Sequence, residues 1–156
     1  PVAATVTLEE SMPTRTAHTA WTGTLETGSG RVSLASSNVG SFDVSFPRRA
    51  AEEAEGVTSP EELIGAAHSA CYAMQLSAVI ARSGGTPGSL EVTADVNLGP
   101  DPAGGFRITG ILITVRGQVE GMDEAGFVAA ATAAKETCPV SKALTGTQIT
   151  LDAALA

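Results

Sequence analysis

Apolar and polar positions alternate near the N-terminus, merge into one long apolar run in the middle, and alternate again around two further helical blocks. His18-Thr-Ala-Trp-Thr-Gly-Thr-Leu-Glu-Thr27, the turn Gly28-Ser-Gly30 and Arg31-Val-Ser-Leu-Ala-Ser36 read as a β-hairpin of strand-forming residues bounded by glycines. Ser41-Phe-Asp-Val-Ser-Phe46 reads as a third strand ended by Pro47, which lacks the N–H a ladder needs. Residues 48–58 follow as a loop rich in Ala and Glu, long enough to be functional, or hold a short helical turn over Ala50 to Glu55.

Ser59-Pro60-Glu61-Glu62 predicts a helix start, with a serine to cap, a proline at the first helical position and a carboxylate three residues after the cap. The helix should run to Arg82 or Ser83 and stop at Gly84-Gly85, roughly 23 residues or about 35 Å. Its apolar residues fall on nearly every face, which predicts burial all round, by sheet on one side and a partner on another. Leu90–Leu98 and Phe106–Val119 predict a second hairpin across the turn-rich Gly99-Pro-Asp-Pro-Ala-Gly-Gly105. Asp123 can cap a helix over Glu124–Glu136. Cys138-Pro139 ends that helix and starts a short one closed by Gly146, and Gln148–Leu155 alternates as a last strand. Hairpins separated by helical blocks indicate an α+β fold with antiparallel or mixed sheets around a long central helix.

A length of 156 residues suits one domain spanning residues 1–156. Hydrophobic residues make up 43% and charged residues 17%, an apolar balance that predicts a homo-oligomer. A net charge of −8 with scattered Lys and Arg argues against nucleic acid, which needs a clustered basic footprint. Pro1-Val-Ala-Ala-Thr lacks the basic and long apolar regions of a secretory leader. The run Leu63 to Ala81 is broken by His68, Ser69, Gln75 and Ser77, so the expectation is a cytoplasmic protein with no membrane segment.

Candidate chemistry centres on Cys71, inside the long apolar run, and Cys138. Paired thiols in a reducing compartment are more often catalytic than structural, although two buried cysteines also serve as small hydrophobes. A nucleophilic thiol must ionise, and a cysteine before a proline at a helix start faces unpaired N–H groups that favour the thiolate. Local physics therefore favours Cys138, whereas an apolar mid-helix site raises the pKa of Cys71 unless a cation approaches it. Arg48 and Arg49 are the nearest informative cations, or else solvated surface residues. Glu61 is a candidate counter-charge or simply complements the helix dipole. On a straight helix, Glu61 and Cys71 lie about 15 Å apart along the axis, so one site needs either a kink at Gly65 bridged by a long arginine, or residues from two subunits. The apolar helix favours the second arrangement. His68 shares a face with Cys71 as half of a metal site, but no CxxC or HxxxH spacing completes it. No oxyanion-type motif or phosphate-binding loop is present, and neither metal nor cofactor is expected.

Thr58-Ser-Pro-Glu-Glu-Leu-Ile-Gly-Ala-Ala-His-Ser-Ala-Cys-Tyr-Ala-Met74, followed by Thr137-Cys-Pro-Val-Ser-Lys-Ala-Leu144, resembles the osmotically inducible protein C and organic hydroperoxide resistance family, from about Thr16 to Leu155. His68-Ser-Ala-Cys-Tyr72 and Gly105-Phe-Arg-Ile-Thr-Gly-Ile111 are similar to its first branch. The resemblance implies a thiol peroxidase acting as an intertwined homodimer. It implies Cys71 as the peroxidatic cysteine, against the local preference for Cys138, which becomes the resolving cysteine. Glu61 matches the carboxylate that orients a catalytic arginine, and Phe46-Pro-Arg-Arg-Ala50 aligns that arginine with Arg49, with Arg48 in reserve. It implies organic hydroperoxides as substrates, ahead of hydrogen peroxide, in an apolar pocket with Phe42, Phe46, Leu76 and Phe127 as wall candidates. The implied reductant is a small dithiol of lipoyl type. The alternative is a redox-sensing or apolar-ligand-binding stress protein with the same dimer and no turnover.

Overall fold

The structure, a computed structural model, describes residues 12–156, so the N-terminal segment read against a leader lies outside the described residues. Contacts divide the chain into two units, one ending at Ser59 and one spanning Pro60–Ala156, a division that the sequence reading of one domain does not distinguish.

The first unit is an antiparallel sheet of β1 (His18–Thr22), β2 (Ser29–Ser33) and β3 (Ser41–Val44), in that order. The expected turn at Gly28-Ser-Gly30 is displaced. Ser29 and Gly30 already pair with Thr22 and Trp21, and the chain reverses over Gly23–Gly28. Gly23 takes a φ of +97°, and the Gly28 N–H donates to Thr24 O at 2.8 Å. Gly30 serves close approach instead, since a Cβ there would lie 2.9 Å from the Trp21 ring. The third strand is also shorter than expected. Pro47 opens the short helix α1 (Phe46–Ala50), whose Ser45 cap accepts the Arg48 N–H. A proline early in a helix gives up no intrahelical bond, so this position suits a helix start as well as a strand end.

In the second unit α2 (Pro60–Arg82) has the predicted bounds, with Glu61 and Glu62 in its first turn and Arg82 in its last, each complementing the dipole. It is followed by Gly84 at φ +90°. Within one chain, burial follows a single stripe, Glu61, Gly65, His68, Tyr72, Leu76 and Ile80, the part of the expected burial that a single subunit supplies. Ala66, Ala67, Ala70 and Met74 are exposed. By length and composition α2 could cross a membrane, but its stripe lies in the core of this unit.

β4 (Thr86–Pro100) and β5 (Phe106–Glu120) form a long antiparallel hairpin, turned by Gly104 and Gly105 at positive φ. β4 starts four residues earlier than its alternation suggests because Thr86 and Pro87 pair with Glu120 and Val119. Asp123 caps α3 (Glu124–Thr137) through the Gly126 N–H at 2.8 Å, as its position predicts. α4 (Pro139–Ala143) follows, and β6 (Ile149–Leu155) returns parallel to β5, making a mixed sheet. α2 packs on β4 and α3 on β6. The core joins Tyr72, Leu76 and Ile80 to Ile111, Ile113 and Val115 of β5 and to Phe127, Ala131 and Ala134 of α3.

Candidate active site

The polar residues that interrupt the apolar run of α2 turn toward the junction of α3 and α4. His68, Cys71 and Gln75 are spaced three and four residues apart, which puts them on one helix face. His68 Nε2 lies 2.7 Å from Ser141 Oγ, with both side chains buried. One turn on, Gln75 Nε2 donates to Thr137 Oγ1 at 2.8 Å, and that hydroxyl donates to Ala133 O at 2.7 Å. Between these bonds, Cys71 lies close enough to the Cys138 side chain and the Val140 N–H for each to act on the titration of its thiol. Both cysteines are free thiols, Cys71 partly accessible and Cys138 fully buried.

The backbone explains how Cys138 arrives there. Its N–H closes α3 on Ala134 O at 2.8 Å, while Pro139 begins α4 without an N–H to waste. The Cys138 side chain makes no capping bond, and the Val140 N–H at this helix start favours the thiolate of Cys71. Burial pushes the Cys71 thiol up, the Val140 N–H pulls it back, and Cys138 pushes it up again. None of these influences is a cation. Burial holds His68 below its ordinary value, so its ring is neutral. Its Nδ1 is buried without a partner. An orphaned lone pair is better tolerated than an orphaned N–H, which favours the proton on Nε2, donated to Ser141. His68 is thus committed to α4, and among the described residues no three His, Cys, Asp or Glu side chains group as a metal site.

The remaining candidates divide between the units. Arg48 and Arg49 occupy the last turn of α1 in the first unit, whereas Glu61 and both cysteines belong to the second. Arg48 Nη2 pairs with Glu55 Oε2 at 2.6 Å. Glu61 is buried, with 8% of its surface exposed, on the same stripe as His68. α2 runs through Gly65 without interruption, and that glycine admits the Ala94 carbonyl of β4. Of the wall candidates, Phe42 is exposed and Phe46 half-buried. Leu76 and Phe127 are fully buried core residues, so neither lines an opening to solvent. A groove of about 600 Å³ lined by Val79, Ser83, Met122 and Ala133 lies further along α2 and includes neither thiol. Sequence reasoning did not find the His68–Ser141 and Gln75–Thr137 bonds. The signal was present in the polar residues spaced at one helix face inside an otherwise apolar run.

A long helix carrying one thiol against a second thiol at a helix junction defines an α+β dithiol protein. Residues 53–152 match the family described as OsmC-like protein. The chain is 42% identical over 132 residues to the peroxiredoxin OsmC of Escherichia coli strain K12, covering 85% of this chain and 90% of that protein. It is 34% identical to the organic hydroperoxide resistance protein of Xanthomonas axonopodis pv. citri, covering 84% and 87% respectively. An organic hydroperoxide resistance protein from Elizabethkingia anophelis superposes with a TM-score of 0.75 at 25% identity, over 94% of this chain and 99% of that one. The chain belongs to the OsmC-like family.

Proposed function

We propose that this protein is a thiol peroxidase that reduces organic hydroperoxides, and hydrogen peroxide more weakly. The observation that carries the reading is the neighbouring pair of free thiols, Cys71 partly accessible and Cys138 buried, close enough that Cys138 acts on the titration of Cys71. The names of the relatives from Escherichia coli and Xanthomonas support the same chemistry.

In this reading the Cys71 thiolate attacks the terminal oxygen of the hydroperoxide. The O–O bond breaks, the alkoxide takes a proton and leaves as alcohol, and Cys71 becomes a sulfenic acid. Cys138 then attacks the Cys71 sulfur, hydroxide leaves with a proton as water, and a disulfide remains. A small dithiol of lipoyl type reduces it and is itself oxidised to a disulfide. Burial disfavours the Cys71 thiolate and the Val140 N–H supplies one compensating donor, so turnover at neutral pH calls for a cation. We assign that role to Arg49, the position at which Phe46-Pro-Arg-Arg-Ala50 aligns with the arginine of the family, and we assign Glu61 to hold it. Phe42 and Phe46 are the wall residues retained for an apolar substrate. The exposed Ala66, Ala67, Ala70 and Met74 on α2 support a homodimer, and a reducing compartment such as the cytoplasm suits the cycle.

The raised Cys71 pKa also favours a second reading, a redox sensor that reacts slowly and does not turn over. Cumene hydroperoxide consumption with reduced lipoamide separates the two. The peroxidase reading expects many equivalents consumed per chain, none with Cys71→Ser, and one followed by over-oxidation with Cys138→Ser in the absence of added thiol. Consumption stopping at one equivalent in the wild type would establish the sensor. A first sulfenic acid on Cys138 would reverse the two roles.

A further inference from the structure

The segment that carries Cys138 is bonded to α2 on both sides of that cysteine. One residue before it, Thr137 accepts from Gln75 at 2.8 Å; three residues after it, Ser141 meets His68 at 2.7 Å. The two α2 side chains bracket Cys71 in the reverse order, Gln75 one turn after it and His68 one turn before it. Of the neighbouring polar side chains on α2, Ser69 bonds to Ala66 O within its own helix, and Tyr72 reaches α3 at Ala131 O. α4 is only five residues long, and Val140 and Leu144 seat it on the core; directional hydrogen bonds add the register that sulfur–sulfur attack requires and apolar packing does not specify.

We propose that His68 with Ser141, and Gln75 with Thr137, are positioning residues that hold the Cys138 thiol against Cys71 and so set how fast the sulfenic acid is resolved. This rests on the assignment of Cys138 as the resolving cysteine. The step concerned is attack of the Cys138 thiolate on the Cys71 sulfenic sulfur, forming the S–S bond and releasing the sulfenic oxygen as water. Neither pair touches the peroxide oxygen, so sulfenic acid formation is left unchanged. The two bonds differ in character. The His68–Ser141 bond is buried and carries more of the constraint, because a buried polar group has no water to replace its partner. The Gln75–Thr137 bond is exposed and carries less.

The test compares Ser141→Ala, Gln75→Ala and the double variant with the wild type by two measurements. The first is single-turnover oxidation by one equivalent of cumene hydroperoxide, with quenched samples read by mass spectrometry for sulfenic acid, disulfide and sulfinic acid. Ser141→Ala is expected to slow disulfide formation about five- to tenfold, the factor that loss of one ordinary hydrogen bond supplies, with sulfinic acid rising in proportion. Gln75→Ala should slow it less, and the double variant more than either. The second is the equilibrium of the Cys71–Cys138 disulfide with reduced and oxidised glutathione, which reports thiol proximity whether or not the protein consumes peroxide. A lower effective concentration in the variants is expected there too. His68→Gln, whose amide can reach Ser141, should restore both readouts relative to His68→Leu. A bond with a merely structural role would lower thermal stability in Ser141→Ala while leaving the glutathione equilibrium and the disulfide rate at wild-type values, and that result overturns the proposal. A wild type that consumes no peroxide, with variants still shifted in the glutathione equilibrium, would defeat the peroxidase reading and leave the positioning role standing.

Discussion

Replacing Gly65 by alanine should destabilise this protein, although the same change in most helices stabilises. Gly65 lies in the first third of α2 and is buried against β4, where an ideal Cβ would sit 2.9 Å from Ala94 O and 3.6 Å from Val96 Cγ2. A comfortable carbon–oxygen approach is about 3.3–3.6 Å, so the helix would have to retreat from the sheet by roughly 0.4 Å or more. Alanine gains about 1 kcal/mol over glycine in a helix interior, while overpacking a well-filled contact costs about 1–3 kcal/mol. The opposing atom is a backbone carbonyl fixed in the β4–β5 ladder and cannot swing aside, which puts the cost in the upper half of that range. The net expectation is a loss of about 1 kcal/mol, a fall in Tm of about 2–4 °C for a chain of this size. Urea unfolding of the reduced protein, followed by far-ultraviolet circular dichroism, measures it. Gly146→Ala is the control, since nothing lies within 4 Å of a Cβ built there, and it should be neutral. An unfolding midpoint raised by Gly65→Ala would refute the reasoning, because it would mean that α2 and β4 do not meet as closely as described.

Other outcomes follow from the charges and the exposed faces. Arg49→Ala should move the midpoint of Cys71 thiolate formation up by about 1–3 pH units and slow peroxide reduction far more at neutral than at alkaline pH. Glu61→Ala should act likewise but less, and Arg48→Ala should resemble the wild type; the reverse ranking of the two arginines in a thiol titration would shift the assignment by one residue. His68 titrates normally near 6.5 and is held lower by burial, so the unfolded chain takes up its proton first. Its contribution to stability is therefore present above about pH 6.5 and lost as the pH falls, a slope that His68→Gln should flatten in denaturation measured from pH 7.5 to 5. Cys71 runs the other way. In Arg49→Ala, where burial acts on it without the assigned cation, its thiol is held above the ordinary 9.0, so that reduced variant should lose stability as the pH rises past that value. Light scattering at micromolar concentration should give twice 15.7 kDa, and a stable monomer would remove the support that the exposed α2 residues lend to a dimer.

The helices were legible wherever a local signal was sufficient. Pro60 and Gly84 bound α2, and Asp123 starts α3, because caps and breakers act over three or four residues. The hairpin turn at Gly23–Gly28 was misplaced because Gly28 and Gly30 are glycines for close approach to Trp21, and composition does not separate that use from a turn. Pro47 was read as a strand end for a similar reason, since a proline fits both an edge and a first helical turn. Of the burial expected all round α2, one chain accounts for the stripe from Glu61 to Ile80, and Ala66, Ala67 and Ala70 lie outside that stripe. Both thiols were visible as candidates. Which of them receives the α4 N–H was not, because that depends on a contact between residues distant in sequence, from α2 to the α3–α4 junction.

The parallel pairing of β6 with β5 bears on how the thiol pair comes into being. Adjacent antiparallel strands can be joined by a tight turn, whereas a parallel neighbour needs a long crossover, and here that crossover is α3 and α4 with Cys138 between them. α2 and the β4–β5 hairpin are built on short-range contacts and form early; β6 must close a much longer loop before the crossover is fastened at both ends. During folding Cys71 is therefore in place before Cys138 is, and for that interval it is a thiol without its neighbour. A Cys71 sulfenic acid formed in that interval has no Cys138 to resolve it, and a second oxidation to sulfinic acid is damage that the finished protein cannot undo.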